Sequence, residues 1–140
     1  MWGHKPGIDL LDTPEMNRFF LLLDRLDETR IMALRAAWRG ISDARHESAW
    51  TMVRALAERE ELTNEIDRVR GAALAWTNRG SDIAPYATYG HPDRMWTQIK
   101  MEAAEAVVDA ALAIALGTSL DGAAYDVLIG PWLAVTDDAG

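Results

Sequence analysis

A chain of 140 residues, 49% hydrophobic and 26% charged, has the size and composition of one soluble domain able to bury a core without staples. It contains no cysteine, which excludes disulfides, thiolate nucleophiles and cysteine-based zinc or iron–sulfur sites. The net charge is −8, with 13 acids against 11 bases in residues 1–70, 9 against 3 in residues 71–140 and no base after Lys100; this disfavours nonspecific nucleic-acid binding and anionic membrane surfaces.

Residues 1–12 (MWGHKPGIDLLD) read as an irregular leader, because Gly3, Pro6 and Gly7 oppose a helix. No basic segment followed by an apolar one occurs there, so no signal peptide is expected and the predicted location is the cytoplasm. Trp2 has no apolar stripe to join; it either folds back onto the domain or inserts into a partner. Thr13-Pro14-Glu15 is a helix start, with a hydroxyl cap, a proline in the first turn and an early acid. Met16, Phe19, Leu23, Leu26, Ala33 and Ala37 recur at helical spacing, which predicts one helix ending at Gly40.

Ser42-Asp43 opens a second helix, and no proline or glycine follows before Gly71. Leu62, Ile66, Val69, Ala73 and Trp76 have a heptad-like spacing that can serve the chain's own core or a partner helix. A single helix over 43–79, roughly 55 Å long, is the expected form. A kink near Glu60, where the stripe drifts through Glu58-Arg59-Glu60-Glu61, is the alternative. Residues 81–93 form the longest loop; its Tyr86, Tyr89 and His91 suit either a recognition surface or a lid packed by its own rings.

The third helix closes at Gly117 and carries the run MEAAEAVVDAALAIALG, apolar nearly all the way round. Glu102, Glu105 and Asp109 stand along one edge, predicted to be solvent-facing or at the rim, while Ala103, Ala106, Val107, Ala110 and Ile114 are predicted to be buried. So apolar a helix with such small side chains reads as the central stave of a tight bundle. A short helix runs from Asp121 to about Leu128. Gly130-Pro131 is expected to end it and to fold Trp132 back against Tyr125 and Leu128 as a clasp. Residues 136–140 form an acidic tail. No period-two run and no solenoid repeat is present, so the class is all-α: three long helices, the second possibly kinked into two, plus a short C-terminal helix, in a single domain over 1–140.

Candidate chemistry rests on carboxylates. A di-iron bundle needs Glu-x-x-His on paired helices, and only Asp43-x-x-His46 has that spacing, at a helix start where an Asp serves as a cap. Glu58-x-x-Glu61, with Glu102-x-x-Glu105 and Asp109, resembles the Mg²⁺-binding elements of helical nucleotide pyrophosphohydrolases of the MazG kind. That resemblance implies a Mg²⁺ site on these five residues, hydrolysing nucleotides. The second element departs from the family in ending with Glu, and the two lie too far apart. The ending Tyr125-x-x-Leu128-x-Gly130-Pro131-Trp132 is similar to that of small all-helical proteins of actinobacteria and their phages, a group with no assigned activity; the likeness covers about residues 102–133 and implies an origin, not a mechanism.

The expected function is therefore a non-enzymatic helical interaction or assembly protein without cofactor, a homo-oligomer or a subunit of a larger assembly. Leu62, Ile66, Val69, Trp2, Tyr86, Tyr89 and His91 are its candidate partner-binding residues. The MazG-like Mg²⁺-dependent enzyme is the alternative. An acidic decoy of a DNA-binding protein is a third reading, whose signature would be contiguous exposed acids along the last forty residues.

Overall fold

A computed structural model describes residues 10–80 and 93–136, with side chains described up to residue 75 and from residue 98. Among these residues there are six α-helices, one 3₁₀ turn and no strand: α1 (Pro14–Leu23), α2 (Glu28–Arg39), α3 (Asp43–Ala57), α4 (Glu60–Gly80), α5 (Asp93–Ala115), the turn Gly117–Ser119, and α6 (Gly122–Thr136). No helix of the described residues is long and apolar enough to cross a membrane.

The helix starts follow their caps. Thr13 accepts a hydrogen bond from the Met16 amide, Ser42 from Arg45, and Asp121 from Ala124 at 2.7 Å, each satisfying an amide that the first helical turn leaves free.

Three expectations about helix extent are corrected. The first predicted helix is two, because the chain tightens after Leu23. The Arg25 and Leu26 amides bond back three residues, and Asp27 turns extended to accept from the Arg30 amide at 2.8 Å. Burial of Leu26 in the turn supports this break. The second predicted helix is also two, split at Glu58-Arg59. Here the Glu58 and Arg59 amides bond to Ala55 and Leu56, and the Thr63 hydroxyl donates to the carbonyl of Ala57 at 2.6 Å. A side chain thus takes up a carbonyl that the break releases.

The third correction concerns Pro131, which does not end the last helix: α6 continues through it to Thr136. Proline inside a helix forfeits one hydrogen bond and costs about 3 kcal/mol. Val127, Leu128, Ile129, Pro131 and Trp132 are all buried, and that packing outweighs the loss. Trp132 is buried as expected, although no chain reversal puts it there.

The central-stave reading of the alanine-rich run holds. Helix α5 packs against α1, α2, α4 and α6, and Ala103, Ala106, Ala110, Ala111 and Ala113 are buried along it. Their small side chains admit four neighbours close to one axis. Helix α6 is the second inner element, covered by α2, α3 and α5. Ile114 is only half-buried, near the open end of α5.

Candidate functional site

The edge of α5 leads into the core. Glu102 is partly buried, Glu105 is exposed, and Asp109, expected at the surface, is fully buried. Seven residues separate Glu102 from Asp109, nearly two full turns, so both lie on one side of the helix. What differs is what reaches each: Arg35 and Arg39 of α2 at Glu102, and Trp38 of α2 with His46 and Trp50 of α3 at Asp109. A carboxylate in that position must be hydrogen-bonded or neutral.

Asp109 is hydrogen-bonded by three donors from two other helices. Trp50 Nε1 donates to Oδ1 at 2.9 Å, and Trp38 Nε1 to Oδ2 at 3.1 Å. His46 Nε2 lies 2.7 Å from Oδ2. Trp38 is on α2, near its C-terminus; His46 and Trp50 are one turn apart on α3 and share a face. Trp38 Nε1 is also 3.1 Å from His46 Nε2, and the two rings meet edge to face at 5.4 Å. Since Nε2 has a carboxylate oxygen as its nearest partner, it carries the proton, and the Trp38 N–H is left to Oδ2. The Arg70 guanidinium of α4 lies over the Trp50 ring, 5.9 Å from its centre.

Three donors converging on one carboxyl group favour its ionised form. Burial pushes the Asp109 carboxyl up from its ordinary range, while His46, Trp38 and Trp50 pull it back part of the way. The His46 imidazole is held above its usual value by the hydrogen bond to Asp109, against the opposing effect of burial; the charges of Asp109, Glu105 and Asp43 add to the rise. One turn and more away, Glu102 accepts from Arg35 Nε at 3.0 Å and Gln98 Nε2 at 3.1 Å, with Arg39 Nε at 3.4 Å. Partial burial pushes this carboxyl up, but the Gln98 and Arg35 hydrogen bonds and the two arginine charges outweigh it and hold it below the usual carboxylate range.

The other residues singled out in the sequence are dispersed. Glu58 is exposed at the α3–α4 break, and Glu61 bonds to Arg59 two residues before it. Among the described residues no group of three or more His, Asp or Glu side chains comes together to hold a metal ion. Leu62, Ile66 and Val69 are buried in the chain's own core. Trp2, Tyr86, Tyr89 and His91 lie outside the described residues, as does the side chain of Trp76. The acids of the C-terminal forty residues are interrupted: Glu105, Asp121 and Asp126 are exposed, Asp109 is buried, and Asp137 and Asp138 lie outside the described residues.

Among the described residues, surface grooves lie away from the buried carboxylate. One, of about 380 Å³, runs between α1 and α6. Phe19 and Trp132 meet at its floor, with ring centres 4.6 Å apart. Its walls include Leu22 on one side and Tyr125, Ile129 and Leu133 on the other. The second, of about 320 Å³, lies between α3 and α6 and is lined by Arg45, Ser48, Asp121 and Asp126 among others. Neither is lined by Trp38, His46, Trp50 or Asp109. The polar cluster therefore ties α2, α3 and α5 together, with its donors directed at the Asp109 carboxylate and not into either groove. Sequence reasoning singled out Asp109 for its edge and His46 for its spacing from Asp43. It missed Trp38 and Trp50 as donors, for which the recurring Ala-Trp pairs were the one available signal.

Comparison with known proteins gave no matching family model, no matching curated protein and no matching solved structure.

Proposed function

We propose that this chain is a non-enzymatic helical assembly protein that acts by packing its surface against another polypeptide in an oligomer. The observation that carries the reading is the groove between α1 and α6. Its α1 wall presents Glu15, Arg18, Phe19 and Leu22, and its α6 wall Tyr125, Ile129, Trp132 and Leu133. Both sets recur at three- and four-residue steps, the spacing by which a helix lays one face into a groove. Leu21 and Leu133, beside and on these walls, are 65% and 47% exposed. The polar cluster supports the same reading, because its hydrogen-bonding groups serve the joining of three helices. The C-terminal Tyr-x-x-Leu-x-Gly-Pro-Trp pattern and the lack of cysteine support an actinobacterial or phage origin and a cytoplasmic setting.

The test is affinity purification of the full chain from its native host, compared with the Leu133→Asp variant, with mass spectrometry of what is retained. Partners retained by the parent and lost by the variant support the reading. A parent that retains nothing and sediments as a monomer at every concentration refutes it.

A further inference from the structure

Resting on that reading, we infer that the occupant of the α1–α6 groove is a second copy of this chain, paired about a two-fold axis. In a two-fold interface each surface must act as both knob and hole. Leu133 meets that requirement: it forms part of the groove wall and is also half exposed, so it can enter the groove of a second copy while its own groove receives the other Leu133.

Charge points to the same occupant. Among the described residues lining the groove, Glu15 and Arg18 are the charged ones; both are exposed, and no ion pair joins either to another described residue. They stand one turn apart on α1, opposite in sign. A two-fold axis brings Glu15 of each copy toward Arg18 of the other and satisfies four charges with two ion pairs. A partner helix that is strongly acidic or strongly basic would meet one favourable and one unfavourable charge at this pair, which therefore selects against both. The chain's charge of −8 opposes self-association at long range, and the cross-paired rim gives a local attraction against it.

The available area sets the strength. Helix α6, at 15 residues, is about 22 Å long. With α1, of 10 residues, beside it, the face is small against the roughly 800 Å² per partner of a standard stable interface. The pairing is thus reversible and concentration-dependent.

Sedimentation velocity of the full chain over roughly 1–500 μM reads it directly. The expected parent is a monomer–dimer equilibrium, and Leu133→Asp raises the dissociation constant at least about tenfold with helicity and melting temperature unchanged. Glu15→Arg and Arg18→Glu each weaken self-association, because each puts like charges across the axis. Mixed together the two variants pair better than either alone, and the chain carrying both changes associates like the parent. A parent that stays monomeric overturns the second copy as occupant, while the assembly reading is decided separately by the native purification. A parent dimer indifferent to Leu133→Asp places the interface elsewhere and overturns the groove in both readings. A dimer sensitive to Leu133→Asp but with no recovery on mixing overturns the two-fold register.

Discussion

His46 and Asp109, 63 residues apart in sequence, meet with Nε2 2.7 Å from Oδ2 between α3 and α5. Helix α3 packs mainly against α6 and α4, so this pair and the Trp50 bond are the polar ties that hold it to the central stave. Removing the carboxylate leaves two indole N–H groups and an imidazole N–H without their acceptor. Asp109→Ala should therefore destabilise by about 3–5 kcal/mol, as for breaking a buried charged network. Replacing the whole cluster with apolar residues (Trp38→Phe, His46→Leu, Trp50→Phe and Asp109→Leu together) should cost far less than the single change, since no orphaned polar group remains. Denaturant unfolding of both variants decides this. An Asp109→Ala variant as stable as the parent would show that the carboxylate is not what secures the junction.

The same pair gives a pH dependence with a definite sign. Its folded-state pKa is raised, so His46 contributes stability that is fully present below its unfolded value of about 6.5 and is lost as pH rises through the folded value. The negative charges of Glu105 and Asp43 reinforce the direction, and the Arg70 guanidinium lies over the Trp50 ring. Thermal melts from pH 6 to pH 9 should show a fall in stability on the alkaline side that His46→Gln abolishes. A parent profile parallel to that of His46→Gln across the range refutes the assignment.

What the sequence made legible was local. Thr13, Ser42 and Asp121 mark their helix starts, and the alanine run of α5 marks the helix that others surround. The break at Glu58 was visible as a phase drift in the apolar stripe, while that at Asp24–Asp27 was masked because Leu26 keeps the stripe in phase across the turn it is buried in. Pro131 misled because propensity is a local property and its cost is met by tertiary packing. Asp109 was misplaced for a related reason: helical periodicity says which side of α5 it occupies, and only the path of α2 and α3 says whether that side is covered. Its donors come from two other helices, with no linear pattern connecting them.

Gly71 in α4 and Gly130 in α6 occupy helix interiors, and a Cβ placed on either meets no neighbouring atom within 4 Å. Alanine there narrows the unfolded ensemble and adds no clash. Each substitution should stabilise by about 0.5–1 kcal/mol, and the two should add because they lie on different helices. Chemical denaturation of the single and double variants measures it; loss of stability at position 130 would show that α6 needs glycine's freedom beside Pro131.

Trp132 joins the last helix to the first. It is 3% exposed, and its ring lies 4.6 Å from that of Phe19, itself buried at the middle of α1. Among its larger contacts α1 packs against α5, so the Phe19–Trp132 pair is what anchors it to α6. Trp132→Ala removes the indole from this junction, and the flanking helices cannot close the space without moving α1. The expected cost is about 3–5 kcal/mol, as for other buried aromatics. Amide exchange should rise first in α1, since that helix loses its tie to α6 while α2, α3 and α5 keep theirs. If Trp132 were instead an exposed anchor for another chain, the variant would melt like the parent and lose only its self-association. Melting temperature and sedimentation measured on the same variant separate the two, and an unchanged melt would remove Trp132 from the core.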